Sequence, residues 1–286
     1  MTTQTHWQTT LFTISVLLAI VLSVAIELTE TQQILLLAPV VAVLGLPHGA
    51  LDLPIAEMLW PLKGWRGKLR FAVFYLGLTA LVIALWLAVP GFALFAFLAY
   101  SAWHFAEDWQ DSALILRWTG GVATVGAPAL FHKSEVTALF THLASAPAAG
   151  IAADVLAILG GAALIALLGS IILSRHRRGR DSLEQLALFT AAFFLPPLVY
   201  FMVYFCALHA IRHFTLAMAK IQNIRRSLIA ATCLSVLVIA AAALTALQLQ
   251  TAHHLAVDEA VFRVVFIGLA ALTVPHMILI DRLHRL

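Results

Sequence analysis

The chain has 286 residues, of which 62% are hydrophobic and 11% charged, and its formal net charge is +3. Soluble domains carry about 25% charged residues and about 45–50% apolar ones, so too little polar surface exists here to cover the molecule in water. The composition excludes a soluble domain. The scatter of Lys and Arg through short loops between apolar runs excludes a basic nucleic-acid face.

A membrane-crossing helix needs about 20 apolar residues. Apolar runs occupy 11–28, 33–60, 70–89, 91–109, 113–131, 151–173, 183–219, 228–249 and 259–280. The first, Leu11–Ile26, has no basic segment before it and no small-residue cleavage site after it, so it reads as a retained span rather than a signal peptide. Residues 144–170 are rich in Ala and Gly, which lets membrane helices approach closely. The seventh run is too long for one crossing, and Pro196-Pro197 divides it into 183–195 and 197–219. The first piece is short and is expected to tilt strongly or to re-enter. Cys206 and Cys233 lie inside apolar runs and read as small buried hydrophobes, not as a disulfide or zinc framework.

Charge sets the orientation. The basic clusters are Lys63/Arg66/Lys68/Arg70, Arg175/Arg177/Arg178/Arg180, Lys220/Arg225/Arg226 and Arg282/Arg285. They alternate with loops lacking such clusters if 183–219 goes out and returns, and all four then face the cytoplasm. The expected fold is an all-α polytopic transmembrane helix bundle of roughly eight to ten segments, a single integral membrane domain over residues 1–286. Both termini are expected in the cytoplasm, and the chain in the inner (cytoplasmic) membrane. No fixed-period repeat, P-loop, GxGxxG or HExxH occurs in the sequence.

An ionisable side chain inside the bilayer is costly and marks function. Three places stand out: Gly45-Leu46-Pro47-His48-Gly49-Ala50-Leu51-Asp52, Trp103-His104-Phe105-Ala106-Glu107-Asp108-Trp109, and Tyr204 to Phe214 with His209, Arg212 and His213. His209 and His213 stand at i and i+4, so both rings leave one helix face and can bind one metal ion. His48/Asp52 and His104/Asp108 repeat that step. Pro47 and Gly49 point to a distorted helix around His48, a feature tolerated at membrane depth where it lines a cavity. The set His48, His104, His209 and His213 reads as a metal site, because four buried imidazoles would otherwise each need a separate polar partner in lipid. His276 is either a further ligand or a hydrogen-bonding neighbour. Asp52, Glu107 and Asp108 are the acceptors for ligand N–H groups. Arg212 is expected to pair with one of those carboxylates. His6, His132, His142, His176, His253, His254 and His284 fall in loops, tails or interfaces and read as solvated. Imidazole suits iron, copper, zinc and nickel alike; an all-histidine site in an apolar cavity fits Fe(II) meeting O₂.

At these motifs the chain resembles the Brp/Blh family of bacterial and archaeal β-carotene 15,15′-dioxygenases. GLPHGALD, AWHFAED and YFCALHAIRH look like that family's signature blocks, in the same order, and the resemblance runs from about residue 40 to the Pro275-His276-Met277 segment. Ala106 stands where the family pattern has Gly, and Ala210 where it has Ser; both leave the ligands intact. The resemblance implies an integral membrane enzyme that splits β-carotene at its central double bond with O₂, giving two molecules of all-trans retinal, commonly delivered to a rhodopsin. It implies an Fe(2+) cofactor held by His48, His104, His209 and His213, with no nucleic-acid partner. Asp52, Glu107, Asp108, Arg212 and His276 would then surround the ligands. Trp103, Phe105, Trp109, Phe201, Tyr204, Phe205 and Phe214 are the candidate lining of a polyene tunnel. Three other readings compete. Histidines on facing spans can hold haem in a redox membrane protein. Buried ionisable residues can mark a transporter's ion path. Membrane di-iron hydroxylases group more histidines in HxxxH and HxxHH boxes, of which only His209/His213 makes one.

Overall fold

The computed structural model describes residues 3–60, 62–110, 112–173 and 179–284. Among them every regular element is helical. Arg175, Arg177 and Arg178 of the second basic cluster, Arg285 of the last, His176, and the side chain of His284 lie outside the described residues.

Helix α1 covers Thr3–Ala25. Helix α2, Glu30–Val40, opens on a reciprocal cap: the Thr29 backbone N–H donates to Gln32 Oε1 (2.9 Å) and the Gln32 N–H to Thr29 Oγ1 (3.3 Å). It runs into a π-helical turn, Val41–Gly45, then α3, Leu46–Gly49, and after a two-residue break α4, Asp52–Leu59. The distortion expected around Pro47 and Gly49 is therefore present. Helix α5 is Gly64–Ala88 and α6 Pro90–Ala106, closed by a 3₁₀ turn at Glu107–Trp109. Helices α7 (Leu114–Phe131), α8 (Lys133–Thr141) and α9 (Ala146–Leu173) come next. Helix α10, Arg180–Phe194, stops at Leu195 and α11, Pro197–Tyr204, begins at the second proline, because Pro196 cannot continue the hydrogen-bond ladder. A second π-helical turn, Phe205–His209, joins α11 to α12, Ala210–Lys220. Helix α13 is Ile224–His253, capped by Asn223 accepting from the Arg226 N–H (3.2 Å), and α14 is Val257–His284.

Among the described residues, eight helical stretches are long and apolar enough to cross a membrane: His6–Ala25, Glu30–Leu59, Gly64–Ala88, Leu114–Phe131, Ala146–Leu173, Pro197–Lys220, Ile224–His253 and Val257–Arg282. Helices α6 and α10 are the two shorter candidates. Large apolar side chains point outward in quantity. On α9, Ile151, Ile158, Ile165 and Ile172 repeat every seven residues and are all exposed, as a lipid-facing stripe requires. Cys206 is buried as expected, but Cys233 is exposed on the outer face of α13.

The chain forms two compact units, Met1–Gln33 with Leu94–Arg212, and Ile34–Ala93 with His213–Leu286. In the first, α7 packs along α9, and α1 packs on α10, α11 and the second π turn. Small residues make the α7–α9 approach possible: a Cβ on Gly160 would lie 2.5 Å from the Gly126 carbonyl oxygen. This is the packing role read from the Ala/Gly-rich stretch. In the second unit α14 packs on α4, α5 and α13. Its core joins Leu51, Ile55, Ala56, Ala217, Ala231, Leu279 and Ile280.

Candidate metal centre

The first unit holds His104 at the end of α6 and His209 at the end of the second π turn. Both rings are buried, and their Nε2 atoms face each other at 3.1 Å. His209 Nδ1 lies 3.2 Å from Asp108 Oδ2. Asp108 sits in the 3₁₀ turn that closes α6, is buried, and also accepts from the Tyr204 hydroxyl at 2.5 Å. A carboxylate at Nδ1 fixes the proton there and leaves the lone pair on Nε2, which is the tautomer a metal ligand needs.

The turn that carries Asp108 is itself braced. Arg212 donates from one terminal nitrogen to the Asp108 backbone carbonyl (2.6 Å) and from the other to Glu184 Oε1 (2.8 Å). Glu184, on α10, is fully buried and further accepts from Thr9 Oγ1 (2.5 Å) and the Trp109 indole (3.0 Å). The carboxylate expected to neutralise Arg212 was Asp52, Glu107 or Asp108. Glu184, which the sequence did not single out, is one partner of Arg212, and Arg212 also reaches the main chain of Asp108. Glu107 is buried in the same 3₁₀ turn.

The second unit holds His48 and His213, together with Asp52 and His276, all buried. The π turn Val41–Gly45 leaves the Gly45 carbonyl within hydrogen-bonding reach of His48 Nδ1. His276, on α14, places Nδ1 2.7 Å from Asp52 Oδ1. Asp52 Oδ2 accepts from the Tyr75 hydroxyl at 2.8 Å. The His48 ring lies 5.3 Å from that of His276 and 6.2 Å from that of His213, centroid to centroid. His209 and His213 are one turn apart along the same helical segment, as their spacing predicts.

The aromatic residues divide. Phe105 meets the rings of Tyr204 (5.2 Å) and His209 (5.1 Å) edge-on, and Phe205 stacks on His209 at 5.5 Å and on Phe201 at 5.2 Å. Trp109 is fully buried, stacks on Tyr204 and lies against Gly120. Trp103 is 45% exposed, and Phe214 packs on the core of the second unit. Of the histidines read as solvated, His6, His253 and His254 are exposed, His142 faces Glu30 (3.2 Å) and His132 faces Glu135 (3.2 Å).

The donor set of the first unit suits one metal ion. Two nitrogens, each about 2.1 Å from one ion, stand about 3.0 Å apart at a right angle and about 3.4 Å apart at a tetrahedral one. The His104–His209 separation of 3.1 Å falls between these. With the His209 proton on Nδ1, a cation can replace the single proton that would otherwise join the two Nε2 atoms. Imidazole with no thiolate is a donor set for iron, copper, zinc or nickel.

Comparison with known proteins identifies the family of the chain. A family model described as beta-carotene 15,15′-dioxygenase matches residues 39–284. A beta-carotene 15,15′-dioxygenase from uncultured marine bacterium 66A03 is 35% identical over 259 residues, covering 86% of this chain and 92% of the relative. A probable beta-carotene 15,15′-dioxygenase Blh from Halobacterium salinarum is 30% identical over 229 residues, covering 67% of this chain and 64% of the relative. No solved structure matches.

Proposed function

The chain belongs to the β-carotene 15,15′-dioxygenase family, and from that premise we propose that it cleaves β-carotene at the central double bond with O₂ to give two molecules of all-trans retinal. The carbon–carbon double bond breaks, and each half leaves with one oxygen atom as an aldehyde. His48, His104, His209 and His213 hold one Fe(II) for this reaction, and the retinal is passed to a rhodopsin. The observation that carries the metal is the buried His104–His209 pair at 3.1 Å, with one ring locked by Asp108.

A bound Fe(II) would relieve the spin barrier between triplet O₂ and a closed-shell hydrocarbon, while the electrons that reduce O₂ come from the double bond that breaks. The protein supplies position and dryness. Asp108 keeps the His209 proton on Nδ1, and Tyr204 donates to the same carboxylate oxygen, so the imidazole cannot rotate without breaking the contact. Arg212 pins the turn carrying Asp108, and Glu184 neutralises Arg212. Phe105, Phe201 and Phe205 present apolar surface beside His209, which suits a polyene and excludes water from the reacting bond. The substrate is a long, rigid hydrocarbon that dissolves only in lipid, which matches the placing of His48, His209 and His213 on apolar, membrane-length helical stretches.

A bis-histidine haem fits this pair poorly. Ligands on opposite faces of one iron stand about 4 Å apart with a macrocycle between them, given bonds of about 2.1 Å. His104 and His209 are too close for that.

Expression in β-carotene-producing cells, followed by pigment analysis, tests the reaction: the orange colour fades and retinal appears. Purified protein is expected to carry non-haem iron with no Soret band. Unchanged carotene beside folded, iron-loaded protein would sink the reading, and a strong haem spectrum would replace it with a cytochrome.

A further inference from the structure

Each unit contains the same three-residue chain. In the first, the Tyr204 hydroxyl donates to Asp108, and Asp108 faces His209 Nδ1. In the second, the Tyr75 hydroxyl donates to Asp52, and Asp52 faces His276 Nδ1 at 2.7 Å. Asp52 and His276 are almost fully buried. In both chains the carboxylate holds the proton on Nδ1 and turns the Nε2 lone pair outward.

Two other histidines of the same unit lie near His276. Its ring lies 5.3 Å from that of His48, nearly perpendicular to it, and 6.4 Å from that of His213. His48 also has Nδ1 against an acceptor, the Gly45 carbonyl, and so presents the same tautomer. A hydrogen bond between α4 and α14 needs one polar pair. Three imidazoles, a carboxylate and a phenol gathered in an apolar unit cost several desolvations, and a shared cation offsets them.

Resting on the iron reading above, we propose that His276 is a further metal-binding histidine, and that Asp52 and Tyr75 position it as Asp108 and Tyr204 position His209. His276 Nε2 is the ligand atom. Asp52 and Tyr75 act through it and do not touch the metal. The C-terminal helix α14 is thereby part of the metal centre, not merely of the bundle.

His276→Asn separates ligand from packing residue. The Asn amide overlays the imidazole Nδ1 and can still donate to Asp52, but it has no atom at Nε2. Purified variants are titrated with Fe(II) against a chelator of known affinity, with circular dichroism and elution profile as folding checks. His276→Asn is expected to weaken iron binding by more than the roughly 10–100-fold typical of an outer partner. Asp52→Asn and Tyr75→Phe should fall within or below that range. In His276→Ala, added imidazole should restore iron binding, whereas pyrrole, which fills the same cavity but has no ring-nitrogen lone pair to give a metal, should not; equal rescue by both would mean a packing role. Wild-type iron affinity in His276→Asn, beside loss in His209→Ala, overturns the proposal and leaves the iron reading standing. Full iron retention in His209→Ala defeats the iron reading itself.

Discussion

Glu184 is the residue on which the first unit's polar network converges. Its side chain is fully buried and serves Arg212, Thr9 and Trp109 at once. Removing one partner of a buried pair costs about 3–5 kcal/mol, because the other charge is left uncompensated. Glu184→Gln should therefore lower thermal stability in detergent sharply, and it should free Arg212 and loosen the turn that holds Asp108. Asp108→Asn acts more locally. The Asn side chain can still accept from Tyr204 but offers His209 a neutral partner, so iron affinity should fall about 10–100-fold with the helix content intact. A chelator titration checks the first quantity and circular dichroism the second. At this scale the histidines are legible in the sequence, because an ionisable group in an apolar run needs a reason. Glu184 is not. It sits beside Arg180 and Asp181 at the start of α10, where a charge looks solvated. The signal that points to it is Arg212, whose need for a carboxylate is plain from the sequence while the acid that meets it is not. Tyr75 is hidden by type, and Tyr204 reads as tunnel lining: a tyrosine in a membrane helix shows no further role until its hydroxyl is seen on a carboxylate.

The two π-helical turns each end at or just before a candidate ligand, His209 in one case and His48 in the other. A π turn adds a residue to the helix and rotates the side chains beyond it, and such bulges concentrate at functional sites. The first has a sequence signal in Gly45-Leu46-Pro47. The second, Phe205-Cys206-Ala207-Leu208-His209, has none, because no residue in it breaks a helix. Prolines are an uneven guide as well. Pro196-Pro197 divides α10 from α11, whereas Pro39, Pro128 and Pro275 lie inside helices. The small-residue contact between α7 and α9 is readable as composition, and it makes a prediction at the level of the element. Gly126→Ala would place its Cβ 2.8 Å from the Gly160 backbone nitrogen, and that backbone cannot yield without parting the helices. A loss of about 1–3 kcal/mol is expected. Gly169→Ala, on the same α9, meets nothing within 4 Å and should cost nothing, or gain from the better helix propensity of Ala. Thermal unfolding of the two variants in one detergent gives the comparison, and equal stability would show that the close approach does not matter.

The number of crossings turns on two short helices. Among the described residues eight stretches are long and apolar enough to cross, and α6 and α10, with 17 and 15 residues, are shorter than these. At about 1.5 Å per residue neither reaches the roughly 30 Å of a hydrocarbon core unaided. The bilayer accommodates short spans by thinning, at a modest cost per ångström. Charge argues that both cross. With ten crossings, the Lys63–Arg70 cluster, Arg180, and the Lys220–Arg226 cluster all fall on the side that retains positive charge. With α6 and α10 both lying flat, Trp65 and His253 keep their opposite sides, but the 132–145 loop moves from the outside to the cytoplasm. That loop is the discriminating position. Ser145 is exposed there, as are Trp65 and His253. Single Ser145→Cys, Trp65→Cys and His253→Cys variants, with the exposed Cys233 replaced by Ala, are to be treated in intact cells with an impermeant maleimide. Positions 145 and 253 are expected to label from outside and position 65 only after lysis. Labelling of 253 without 145 would mean that the two short helices do not cross, and labelling of 65 from outside would invert the orientation of the whole chain.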